Sequence, residues 1–134
     1  MGELVFVYGT LMREQGNHRR FFQGNPEVEF VDEGVVEGLG LYKVAAGYPG
    51  AVREKGAFTR GEVFRVSRRV LRSLDLLEDE GDLYIRRKTQ VRLQSGAMVE
   101  AWVYLWNRKP DPKTRVSEHE QPWCSSSPTG KRIL

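Results

Sequence analysis

The sequence contains one cysteine, Cys124, and two histidines, His18 and His119, far apart in the chain. A single thiol closes no internal disulfide, which is the expectation for a chain working in a reducing cytoplasm. So few sulfur and imidazole ligands also make no cluster with metal-site spacing, and no metal is expected. Long apolar runs are missing as well. None approaches the roughly 18 residues that a membrane helix needs, so no membrane partner is implied. The opening MGELVFVYGT has no basic segment leading into an extended apolar one, and it reads as a buried strand instead of an export signal. Gly-Lys-Ser/Thr does not follow the early glycine, and no three-glycine fingerprint opens a helix. Phosphate-loop and dinucleotide folds are thereby excluded, and no cofactor is implied.

A strong excess of one charge is also absent from most of the chain. The formal net charge is +3 with a pI near 9.2, but residues 1–106 carry 15 Lys/Arg against 15 Asp/Glu. The excess lies in residues 107–134, with six basic and three acidic side chains. A basic end on a neutral body reads as a solvated tail, not a phosphate-tracking groove, so nucleic acid is not the expected partner.

What is present is an ordinary globular composition in 134 residues, 40% hydrophobic and 29% charged, enough for one domain with its own core. Residues 4–8 (LVFVY) form a short apolar run that stops at Gly9, the pattern of a buried strand. Asn17 is placed to cap a short helix through Phe21 and Phe22, closed by Gly24. Residues 27–44 alternate loosely, as one bent strand or two, with Gly34, Gly38 and Gly40 as bulge or corner positions. Residues 48–52 suggest a turn into a further strand, and residues 61–66 alternate with period two. Ser67 opens the one strong helix, over about 68–78, with Val70, Leu71, Leu74 and Leu77 as its apolar stripe. Residues 84–93 and 97–106 read as a hairpin. Prolines and a serine run then break the pattern, so the expected division is a domain over 1–106 and a basic, largely irregular tail over 107–134. Many strands with one principal helix predict an α+β fold, its sheet curled toward a small mixed barrel with short flanking helices.

Five acidic residues crowd the end of that helix: Asp75, Glu78, Asp79, Glu80 and Asp82. The helix dipole disfavours negative charge there by some tenths of a kcal/mol each. Asp79, Glu80 and Asp82 read as a solvated loop. Glu78 differs, because it follows Leu74 by four residues and Leu71 by seven and therefore shares the core-facing stripe. A carboxyl on a buried face is either paired or driven toward its protonated form. Two readings stay open: a general acid/base, or a structural group held by Arg86, Arg87 or Tyr84. Asp75 is expected to cap or pair locally. The turn after the first strand, Tyr8-Gly9-Thr10-Leu11, is similarly double. It is either a plain turn or a set of backbone N–H groups able to cradle an anion, with the Thr10 hydroxyl beside them.

Taken together, VYGTLMREQGNH (7–18), GYPGAV (47–52), GEVFRV (61–66), LDLLEDEGDLYIRR (74–87) and AWVYLW (101–106) resemble the γ-glutamylcyclotransferase superfamily, in the family's order, over about residues 3–106. The resemblance implies a small mixed barrel acting on a small-molecule γ-glutamyl substrate. It implies that Tyr8, Gly9, Thr10 and Leu11 bind the substrate's α-carboxylate through backbone N–H groups, and that Glu78 is the catalytic base and acid. One departure stands out: the family often has Gly directly after this Glu, where the chain has Asp79-Glu80-Gly81. The implied reaction is attack of the substrate's α-amine on its own γ-carbonyl, giving 5-oxoproline and a free amine. The alternatives are a binding protein that retains the turn without turnover, and an adaptor acting through the basic tail. The sequence does not identify the leaving amine.

Overall fold

The computed structural model describes residues 2–45 and 48–123; Cys124, and with it the reading of that thiol, lies outside them. Five strands form a closed barrel in the order β1-β3-β2-β4-β5: β1 Glu3–Val7, β2 Val28–Ala45, β3 Tyr48–Val66, β4 Tyr84–Leu93 and β5 Met98–Trp106. One helix, α1 Arg68–Leu77, covers part of the wall. A π-helical turn (His18–Phe22) and two short 3-10 turns (Pro112–Thr114 and Glu118–Glu120) flank the barrel, as the α+β expectation required. No helix among the described residues is long and apolar enough to cross a membrane.

β2 and β3 build most of the wall as one long antiparallel pair. The register slips between Phe30 and Asp32, between Glu37 and Leu39, and between Lys43 and Ala45, and these slips bend the pair enough to close it. Of the three glycines expected at bulge or corner positions, Gly38 lies at a bulge, at φ +86 inside the second slip. Gly34 and Gly40 instead lie in regular pairing, opposite Gly61 and Val52. Residues 48–52 are already strand, paired from Tyr48 onward with β2, because the cross-strand ladder satisfies backbone groups that a turn would leave to solvent.

β1 closes the barrel between two different partners. It runs antiparallel to β3 from Glu3↔Val66 to Val7↔Glu62, and parallel to β5 at Val5↔Trp102. Gly61 permits the close approach: a Cβ there would sit 2.2 Å from the Val7 carbonyl oxygen. β1 is only five residues long, and beyond its end the first half of β3 takes over beside β5, at Ala51↔Leu105. That handover point, level with Val7 and Tyr104, is where the candidate site lies.

α1 begins at Ser67, whose Oγ accepts the Val70 N–H at 3.1 Å and donates to Glu27 at 2.6 Å. Val70, Leu71 and Leu74 are buried against the barrel, while Leu76 points outward, 84% exposed. Burying those three side chains contributes about 1.5–3 kcal/mol each and fixes the roll of the helix. Residues 107–123 lie along the body. Arg108 pairs with Asp82, the Val116 N–H bonds to the Leu41 carbonyl, Arg115 pairs with Glu54, and Trp123 is buried.

Candidate active site

Glu78 caps the C-terminus of α1, and a two-bond motif holds it there. The Asp79 N–H bonds to the Leu76 carbonyl at 3.2 Å and the Glu80 N–H to the Asp75 carbonyl at 2.9 Å. These are the paired bonds of a Schellman end, and they require a left-handed residue just after the cap. Asp79 supplies it at φ +53, a position that favours glycine. The motif turns the Glu78 side chain inward, 8% exposed, at the end of the stripe that also buries Leu71 and Leu74.

Each partner named for Glu78 from sequence is engaged elsewhere. Arg86 grips Asp75 with two bonds of 2.8 and 3.0 Å. Arg87 donates to the Arg86 carbonyl, and the Tyr84 hydroxyl donates to the Pro49 carbonyl at 2.8 Å. Asp75 therefore pairs locally as expected, and Arg86 answers the crowded acids: its guanidinium sits at the negative end of the helix, and its backbone N–H donates to Glu80. Asp82 is held by Arg108, so of the three acids read as a solvated loop only Asp79 is engaged through its backbone alone among the described residues. No described residue donates a hydrogen bond to the Glu78 carboxyl or forms an ion pair with it. Burial pushes that carboxyl up to about 8 from 4.5.

The structure brings Glu78 and the glycine turn into one pocket. Tyr8, Gly9, Thr10 and Leu11 line it together with Glu78, and Pro49, Tyr84 and Tyr104 are also part of the wall. The pocket is a narrow slot with about 30 Å³ of free space. The turn is pinned from behind. The Gly9 carbonyl accepts the Met12 N–H at 3.1 Å, the Thr10 carbonyl the His18 N–H at 2.9 Å, and the Leu11 carbonyl the His18 Nδ1–H at 3.0 Å. In a trans peptide the N–H points opposite to the preceding carbonyl. The Leu11 N–H, opposite the Thr10 carbonyl, is therefore turned away from the His18 side.

Asn17 stands at the N-cap position expected of it, but its contact with the turn, and that of His18, were not read from sequence. Asn17 makes no cap bond; its amide donates instead to the Thr10 hydroxyl at 3.0 Å. The His18 ring packs between Phe22 and Phe64. Both residues lie in the VYGTLMREQGNH stretch, which the sequence reading quoted without assigning them these contacts. Tyr8 was expected to serve through its backbone, and its side chain has a second task. Its hydroxyl donates to the Tyr104 carbonyl at 2.6 Å and accepts the Ala51 N–H at 3.2 Å, tying β1, β3 and β5 together at the handover point. Tyr104 was not singled out from sequence. Its hydroxyl donates to Asp75 at 2.6 Å. Among the described residues no group of three or more His, Cys, Asp or Glu is arranged to hold a metal ion.

A five-stranded barrel with one principal helix, its buried Glu78 carboxyl unpaired among the described residues and lining one pocket with a pinned glycine turn, defines the class as a small α+β barrel protein. The chain belongs to the gamma-glutamyl cyclotransferase, AIG2-like family, whose model it matches over residues 5–125. It is 32% identical over 107 residues to a gamma-glutamylcyclotransferase family protein of Escherichia coli, covering 80% of this chain and 85% of that one. It is 31% identical over 123 residues to the gamma-L-glutamyl-butirosin B gamma-glutamyl cyclotransferase of Niallia circulans, covering 87% and 75%. Among solved structures, an AIG2-like protein of Mus musculus superposes with a TM-score of 0.73 at 29% identity, over 84% of this chain and 82% of that one.

Proposed function

We propose that this chain converts a γ-glutamyl amide into 5-oxoproline and a free amine, with Glu78 as the group that carries the proton. The single observation behind this reading is the buried Glu78 carboxyl, unpaired among the described residues, in the same slot as the turn at residues 8–11. The glutamyl end of such a substrate bears a carboxylate and an ammonium on one carbon. The Tyr8-Gly9-Thr10-Leu11 turn offers backbone N–H donors for the carboxylate, and Glu78 offers an acceptor for the ammonium. The family and the relative named for a γ-L-glutamyl substrate support the same assignment.

The steps balance without further reagents. Glu78 takes one proton from the α-ammonium, and the freed amine attacks the γ-carbonyl carbon. The ring C–N bond forms, and Glu78 returns the proton to the departing nitrogen as the original amide C–N bond breaks. The regenerated carboxylate relays the second proton from the ring nitrogen to the released amine, which leaves as an ammonium. A carboxyl pushed up to about 8 is well matched to these transfers near neutral pH. Intramolecular attack lets positioning supply up to about 7–11 kcal/mol of the barrier reduction.

The test is to incubate the protein and its Glu78→Gln variant with γ-glutamyl amines, γ-glutamyl amino acids and glutathione, following 5-oxoproline by mass spectrometry. The expected result is turnover of at least one substrate and a loss of about a hundred-fold or more in the folded variant. Binding of γ-glutamyl compounds without any 5-oxoproline would reject catalysis in favour of a non-catalytic binding protein.

A further inference from the structure

The turn at residues 8–11 belongs to a longer loop that leaves β1 at Val7 and ends at the π-helical turn beginning with His18. Several hydrogen bonds run within this loop: Met12 N–H to the Gly9 carbonyl, Gln15 N–H to the Met12 carbonyl, and His18 to the Thr10 and Leu11 carbonyls. They hold the loop together as one body. They do not fix where that body sits on the barrel, and the place of the turn relative to Glu78 depends on how the loop is fastened.

Glu62 on β3 holds both feet of that loop. Its backbone is the cross-strand partner of Val7, the last residue of β1. Its carboxylate accepts the Arg13 backbone N–H at Oε1, 2.8 Å, and the Arg13 Nε–H at Oε2, 3.2 Å. Residues 8–12 thus leave from and return to a single residue of the barrel. The clasp is sheltered, because the Glu62 side chain is only 12% exposed. Arg13 is pressed against the Phe30 ring, its guanidinium carbon 3.7 Å from the centroid, and its Nη2 reaches Glu33 at 3.3 Å. A carboxylate bonded to a backbone N–H makes a strong and directional contact. The packing of the His18 ring on Phe64 is apolar and non-directional by comparison.

We propose that Glu62 is a positioning residue for the turn: by clasping the Arg13 backbone N–H it fixes where on the barrel the turn sits, and so where the Leu11 N–H meets a ligand carboxylate in the slot shared with Glu78. The donor in this clasp is main chain, so it does not depend on the side chain at position 13. What it asks of position 62 is an acceptor oxygen at the reach of a glutamate. Gln supplies one, Asp is a methylene too short to reach without moving the loop, and Ala has none.

The experiment is an NMR titration of the isotope-labelled protein with 5-oxoproline and with its carboxamide, which differ only in carrying a carboxylate or a neutral amide. Wild type is expected to bind the acid more tightly than the amide. In Glu62→Ala that preference is expected to fall by about tenfold, the worth of one hydrogen bond to a charged group. Glu62→Gln is expected to keep most of it, Glu62→Asp to lose most of it, and Glu33→Gln, which removes only the outer contact of Arg13, to leave it unchanged. A purely structural Glu62 would lower the melting temperature and weaken acid and amide alike, and an unmoved ratio in Glu62→Ala overturns the proposal. So does a better ratio in Glu62→Asp than in Glu62→Gln, or an equal loss in Glu33→Gln, because the charge pairing of Arg13 would then matter and not the clasp. The Asp and Gln comparison decides the matter if Glu62→Ala does not fold. A wild type that binds acid and amide alike also overturns it, since the turn would then hold no carboxylate. The inference rests on the turn as the carboxylate site of the proposed function, but the titration needs no turnover. Absence of 5-oxoproline release counts against the proposed function, and an unmoved ratio against the role of Glu62.

Discussion

Replacing Glu78 by Gln is expected to stabilise the protein at neutral pH, by an amount that grows with pH. The carboxyl is 8% exposed, has no ion-pair partner among the described residues, and is pushed up to about 8 by burial. In the unfolded chain it titrates near 4.5. Between those values the folded state binds the proton more tightly than the unfolded one, so stability falls as pH rises. The contribution is complete below the unfolded value and is lost as pH climbs through the folded one. At about 1.4 kcal/mol per pH unit, the ionisable group costs the wild type about 3 kcal/mol at pH 7 and about 5 kcal/mol above pH 9. Gln has nearly the same shape and does not titrate, so the difference between the two proteins isolates this one group. Urea unfolding of both proteins at intervals from pH 4 to pH 9 measures it. The variant should be close to wild type near pH 4 and pull ahead steadily from pH 5 upward. A difference that stays flat across the range would refute the reasoning, because it would mean that Glu78 titrates alike in the folded and unfolded chain. A wild type that gains on the variant with rising pH would mean that the carboxylate is paired after all. A variant both more stable and inactive is what a destabilised functional group predicts.

Two further substitutions probe how the site is held. Asp79→Gly removes a side chain from a left-handed residue at φ +53, and it should raise stability by about 0.5–1 kcal/mol, read from the shift of the denaturant midpoint. An equal loss would show that the Asp79 side chain contributes more than its backbone strain costs. Tyr8→Phe strips the Ala51 N–H of its acceptor and the Tyr104 carbonyl of its donor. It should cost about 1–3 kcal/mol on thermal or urea unfolding, and an unchanged midpoint would reject the account of Tyr8 as the tie at the barrel handover.

Some of this was open to reading along the chain because it depends on near neighbours. The apolar stripe of α1 is set by residues three and four apart, and that spacing alone put Glu78 on the buried side. The β4–β5 hairpin and β1 followed from short alternating or apolar runs between glycines. The turn at residues 8–11 and Glu78 were placed together only through the resemblance, since seventy residues separate them and no local spacing connects them.

Tertiary structure decided the rest, for physical reasons that the string of residues does not carry. In the period-two pattern of β5, Tyr104 shares its face with half-buried Trp102 and not with buried Ala101 and Val103. It is buried because α1 lies over that face and brings Asp75 to its hydroxyl. By sequence Arg86 was a candidate partner for Glu78, and in the fold it binds Asp75 instead, leaving Glu78 without an ion pair among the described residues. The alternation of strands and one amphipathic helix were thus fixed locally. Whether a buried carboxyl is paired or left alone depends on which side chains meet from five strands and a helix, and only closure of the barrel brings them together.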